Sequence, residues 1–183
     1  MSRNTPGNVR PACQSIFFLR QGRALLEGLS GELYRRPLLG GPSGSVGGQF
    51  RHCIDYYRCL LRDLDSGRID YDRRQRDPAL ENEPAAAIAA LRALEDELAA
   101  IDAGPVRHRL EVKADRYGDG AELRGEWILS SLEREMLFLL SHTVHHFALI
   151  ALMLRQLGVE VDRAFGVAPS TLQHWGDAAP CAP

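Results

Sequence analysis

The chain lacks a charge excess of either sign: 22 lysine and arginine residues stand against 24 aspartate and glutamate residues, for a net charge of −2. Binding to nucleic acid or to an anionic membrane draws on a basic excess or stripe, so no nucleic-acid and no membrane partner is expected. Long hydrophobic runs are also missing. The apolar run near the start is short and follows Gln14 and Ser15, too brief for a secretory leader. The run around residues 136–154 carries three histidines, which argues against a bilayer span. Cysteine is scarce: Cys13, Cys53, Cys59 and Cys181 form no CxxC pair and no dense framework. They are expected to be reduced thiols of a cytoplasmic protein. No internal repeat is found.

What is present suits one folded domain. The 183 residues, 45% hydrophobic and 25% charged, are enough to bury a core. The expected domain spans 1–183, with a core over about 11–158 and a tail, 159–183, packed on its outside. Four helical segments are read along it. The first runs from Pro11 to Leu29 with Ile16, Leu19 and Leu26 on one stripe, broadened by Phe17, Phe18 and Leu25. A Gly- and Pro-rich connection with one short helical turn follows. The second runs from Val46 to Leu64 behind a Ser45 cap. Its apolar face is Val46, Phe50, Cys53, Ile54, Tyr57, Leu60, Leu61 and Leu64.

A charged connection over 65–83, longer than a tight turn requires, leads to the third segment. That helix is expected to begin near Glu83 behind Asn82, and its alanine-rich sequence favours it strongly. Gly104 and Pro105 should stop it. Alternation through Val106, His108, Leu110 and Val112 then predicts a strand, and "YGDG" a turn, so a small hairpin is expected before the last helix. Ser130 with Glu133 reads as a capping box opening the fourth helix, which should run to Leu157 and end at Gly158. The expected class is all-α, a four-helix bundle with a long crossover between its second and third helices.

Three of the six histidines fall in "FLLSHTVHHFALI". His142 and His146 are four residues apart, about 40° in azimuth on a helix, so both rings share one face and can converge on a metal ion. His145 lies about 100° from His146 and faces elsewhere. A pair of partly buried histidines bonded to nearby carbonyls or hydroxyls would show the same spacing. A third ligand would come from His52, His108 or His174. His52 lies on the second helix beside Gln49, Asp55, Tyr56 and Cys59, a polar stripe bordering a core, where bundles build metal sites.

The segments "SVGGQFRHCIDYY" and "SSLEREMLFLLSHTVHHFALIALMLRQLG", with the tail phrase "FGVAPSTL", resemble the DinB/YfiT-like metalloenzymes. The likeness runs from about Pro11 to Gly158. It implies a four-helix bundle with a long crossover and one divalent metal ion, zinc or nickel, held by His52, His142 and His146. Imidazole ligands also suit ferrous iron. It further implies a small-molecule substrate, with low-molecular-weight thiol transfer as the most concrete activity and metal-assisted hydrolysis as another.

Three neutral nitrogen donors leave a coordination position open, as catalytic zinc sites do. Asp55, one turn after His52, is a candidate to orient a ligand ring. Gln49, Tyr56 and His145 are candidates for supporting a ligand or positioning substrate. Glu135, seven positions before His142, is a candidate general base or outer ligand, or simply a first-turn carboxylate favoured by the helix dipole. Arg73, Arg74 and Arg76 could clamp an anionic substrate, although a solvated, self-paired loop explains them as well. The competing expectation is a non-catalytic bundle, either a metal sensor or a module that forms a homodimer.

Overall fold

The structure, a computed structural model, describes residues 11–38, 44–102, 109–113 and 126–176. It is mostly helical with a small three-stranded sheet. Its helices are α1 (Pro11–Glu27), α2 (Gly31–Arg35), α3 (Val46–Asp63), α4 (Pro78–Asn82), α5 (Pro84–Asp102), α6 (Leu132–Gln156) and α7 (Pro169–His174). The strands are β1 (Arg68–Asp70), β2 (Arg109–Lys113) and β3 (Ile128–Ser131), and a 3₁₀ turn covers Tyr71–Arg73.

The long helices form because apolar residues recur at helical spacing and bury together. On α1, Phe18, Leu19 and Leu26 are buried, while Ile16, Phe17 and Leu25 pack against the core from its edge. On α3 the buried set is Val46, Phe50, Cys53, Ile54, Tyr57, Cys59 and Leu60, with Leu61 and Leu64 at the margin. Helix α1 packs on α5 and α6, and α3 packs on the same two, so their apolar faces close around one core. Leu91, Leu94 and Leu98 of α5 and Leu139, Phe147, Ile150 and Leu154 of α6 complete it.

Helix starts follow local chemistry, with two corrections to the expected caps. Ser45 caps α3 as read, its hydroxyl accepting from Gly48 N–H at 2.9 Å. The cap of α6 is Ser131, which accepts from Arg134 N–H, one residue later than the expected Ser130. Asn82 does not cap α5; it ends α4, and its side chain bonds back to the Pro78 carbonyl at 2.8 Å. Pro84 opens α5 instead, where a missing N–H costs nothing.

The 65–83 connection is structured. It carries β1, the 3₁₀ turn and α4. Strand β1 adds to β2 in parallel, and β2 pairs antiparallel with β3. The expected hairpin strands are therefore present, and their "YGDG" turn lies outside the described residues. The mostly helical class holds, and a third strand, which sequence alternation did not announce, extends the expected hairpin to a three-stranded sheet. Gly47 lets α4 approach α3: a Cβ there would lie 2.1 Å from the Glu81 carbonyl oxygen and 2.7 Å from the Tyr34 ring. The Tyr34 hydroxyl donates to the Leu80 carbonyl across the same contact.

Beyond α6 the tail packs back through Phe165, whose ring stacks on Phe147 at 4.9 Å. Gly166, at φ +71°, lies against the Phe147–Ala148 backbone where a side chain would collide. By length and composition α6 could also cross a bilayer; 44% of its most apolar window is buried in the fold. Cys53 and Cys59 are free and buried. Cys13 is disulfide-bonded, which corrects the expectation of four reduced thiols.

Candidate metal centre

Helices α3 and α6 pack side by side, and their seam brings three histidines together. The His52 ring lies 4.9 Å from that of His142 and 4.6 Å from that of His146. The His142 and His146 rings, one helical turn apart, are 4.5 Å from each other. One ring nitrogen of each can be chosen so that all three lie within 4.8 Å of one another. All three side chains are half-buried.

Burial is the largest influence on their charge. It pushes His52 and His142 from 6.5 down to about 4, with the nearby Arg74 guanidinium adding to the effect on both. His146 falls to about 3, through burial first and then His142, His52 and His145. Neutral imidazoles are the form that binds a cation.

Two hydrogen-bond facts test whether the residues fit a metal. His142 Nε2 is buried and has no partner, and leaving such an atom unpaired costs about 1–3 kcal/mol. His146 Nδ1 lies 2.5 Å from Gln49 Oε1. An amide oxygen only accepts, so Nδ1 carries the hydrogen and Nε2 keeps the lone pair. Gln49 thereby fixes the tautomer that a ligand needs, a standard supporting role behind a metal-binding histidine. The donor set fits a divalent ion.

The other expected residues separate. Tyr56 lies at the site, its ring 5.0 Å from His52 and 4.6 Å from His142. His145 is exposed on the outer side of α6, 5.2 Å ring to ring from His146, and is not among the converging donors. Asp55 is buried, and its carboxylate faces Arg51 at 3.4 Å. Its pKa is raised, because desolvation outweighs the surrounding arginines.

Glu135 is buried, and its two oxygens accept from Tyr71 at 2.9 Å and from Ser130. It ties the 3₁₀ turn and the end of β3 to α6. It is not one of the converging donors.

Of the three loop arginines, Arg74 reaches the site, its Cζ 4.2 Å from the centroid of the Tyr56 ring. Arg73 and Arg76 are exposed, and Arg76 sits at φ 51°. His174 is exposed at the end of α7, and His108 lies outside the described residues.

Sequence reading missed two aromatic members. Phe138 stacks on His142 at 5.6 Å, a neighbour that i, i+4 spacing could have identified. Tyr71 lies 5.2 Å from Tyr56, and no local signal in the connection announces it. Cys59 faces the β1 side of α3, donating to the Asp70 carbonyl at 3.1 Å, and burial raises its thiol to about 11.

No family model matches the chain, and no solved structure matches it. Among curated proteins, FK506-binding protein 5 of Rhizopus delemar is 47% identical over 45 residues. Those residues are 25% of this chain and 12% of that protein, a share too small to define a family.

Proposed function

We propose that this chain is a metalloprotein of the DinB/YfiT-like kind, a four-helix bundle of α1, α3, α5 and α6. Its divalent ion, zinc or nickel with iron as a further candidate, is held by His52, His142 and His146. The observation that carries this reading is the buried, unpartnered His142 Nε2 beside two further imidazole donors. When bound, the ion supplies Lewis-acid polarisation at a position that three neutral nitrogen donors leave open.

The chain's own groups do the rest. Gln49 holds the proton at His146 Nδ1. Burial keeps the three rings neutral. Tyr56 and Phe138 wall the site with aromatic surface. This arrangement supports an enzyme acting on a small molecule, either by transfer of a low-molecular-weight thiol or by hydrolysis. Glu135, bonded to Tyr71 and Ser130, acts in this reading as a strut.

Metal content decides the matter. Purified without added metal and then loaded with zinc or nickel, the wild type should hold close to one equivalent. His142→Ala should hold less than about a tenth of that, since two imidazoles bind far more weakly than three. Equal content in both proteins would refute the three-histidine site.

A second reading, a dimerising bundle, is favoured by Leu137 and Leu152 on α6, which are 53% and 55% exposed. Sedimentation that stays monomeric at high concentration would dismiss it.

A further inference from the structure

The arginines around the histidines differ in what they face. Arg51 pairs with Glu81 and Asp55, Arg58 with Asp77, Arg62 with Asp63, and Arg134 with Glu135. Among the described residues, Arg74 has neither an ion pair nor a hydrogen bond; it lies over the Tyr56 ring and acts through space on Asp55, His52 and His142. It is half-buried. The nearby Asp55 carboxylate is paired with Arg51, so no counter-charge touches Arg74, and an incoming anion would relieve a half-buried cation so placed.

The geometry places that anion. Guanidinium to Tyr56 is 4.2 Å, and Tyr56 to His142 is 4.6 Å, so the charge and the imidazoles lie within one small molecule's length. Held over the ring and making no hydrogen bond among the described residues, the guanidinium keeps its N–H groups available. Those groups match a planar carboxylate in a two-pronged bond. One guanidinium with no carboxylate in contact suits a monoanion. A phosphate dianion would leave negative charge over, near the Asp55 carboxylate that already interacts with Arg74.

We propose that the molecule taken at the three histidines carries a carboxylate, and that Arg74, steadied on Tyr56, binds it. This rests on the metal-centre reading above and deepens it by naming the substrate class. Arg74 is then a specificity-determining residue, and Arg73 and Arg76 are not.

The test uses the full chain loaded with cobalt(II), whose visible spectrum reports ligand binding without any turnover. Mercaptoacetate and 2-mercaptoethanol are the probes, because they differ mainly in the carboxylate. The wild type should bind mercaptoacetate more tightly by about tenfold or more, the scale of a charge-assisted hydrogen bond. Arg74→Gln should take up cobalt normally and show affinities within about twofold of each other, and Arg74→Lys should recover part of the preference because it keeps the charge but not the fork.

Equal affinities in the wild type, or an undiminished preference in Arg74→Gln, overturn this inference and leave the metal centre standing. Loss of cobalt from Arg74→Gln also overturns it, by making Arg74 a support of the site. Failure of the wild type to take up cobalt refutes the metal reading and this inference together.

Discussion

Two of the helix seams among the described residues settle their buried polar groups in opposite ways. At the α1–α5 seam Glu95, 8% exposed, accepts from Arg23 Nε at 2.9 Å and from Arg20 Nε at 3.2 Å. Its charge is matched inside the protein, and the pKa of Arg23 rises because Glu95 and Glu27 bond to it. At the α3–α6 seam three imidazoles crowd together, and His142 Nε2 has no partner at all. Under the metal reading proposed above, the His142 nitrogen is kept for a ligand, at a cost in stability while it waits; Ser15 Oγ and Gln21 Oε1 on α1 are also buried without a partner.

Breaking the second seam should give the largest effect. A metal ion at a thousandfold excess over its Kd is expected to stabilise the wild type by about 4 kcal/mol, or roughly 8–16 °C in Tm. His142→Ala should abolish that shift in a thermal melt. In chelator, the same variant should match the wild type within about 1 kcal/mol by urea denaturation, since the penalty it removes offsets the small cavity it leaves.

Gln49→Ala should come next. With no acceptor to hold the proton at His146 Nδ1, metal affinity should fall about 10–100-fold by competition with a chromophoric chelator. An unchanged affinity would mean that His146 selects its tautomer without Gln49.

The metal-free protein should also respond to acid. The three folded pKa values, about 4, about 4 and about 3, lie below the ordinary 6.5. As pH falls the unfolded chain therefore takes up protons before the folded one does. Stability should be complete above about pH 6.5 and decline progressively to about pH 3, the lowest of the folded values, a window that denaturant midpoints can trace. His142→Ala should flatten that decline.

Glu95→Ala gives the smallest expected change. Arg20 is 64% exposed and returns to water at little cost, so the loss should be about 1 kcal/mol. Metal content should be untouched. A change in metal content would show that the two seams are coupled.

How much was legible beforehand depends on how local the cause is. Ser45 was readable because a cap needs only a hydroxyl and an N–H three positions on. Ser130 and Ser131 offered the same local signal. What separated them was that Glu135, held by Tyr71, draws the Ser130 hydroxyl away. Strand β1 was invisible because three residues carry no period, and its parallel partner β2 lies some forty positions away. The loop arginines looked equivalent as sequence. Only the path of the 3₁₀ turn past α3 sets Arg74 on Tyr56 and leaves Arg73 and Arg76 in solvent.

The amino-acid order alone determined the long helices, the shared face of His142 and His146, and the outward turn of His145, because each follows from the 3.6-residue period of a single helix. Tertiary structure decided that His52 meets that pair and that Gln49 reaches His146 across 97 positions. It also decided that Glu135 is spent on Tyr71 and Ser130. Those outcomes depend on how α3 and α6 are rotated and offset against each other, which the packing of Phe50, Ile54, Tyr57, Leu139 and Phe147 sets and no local pattern encodes.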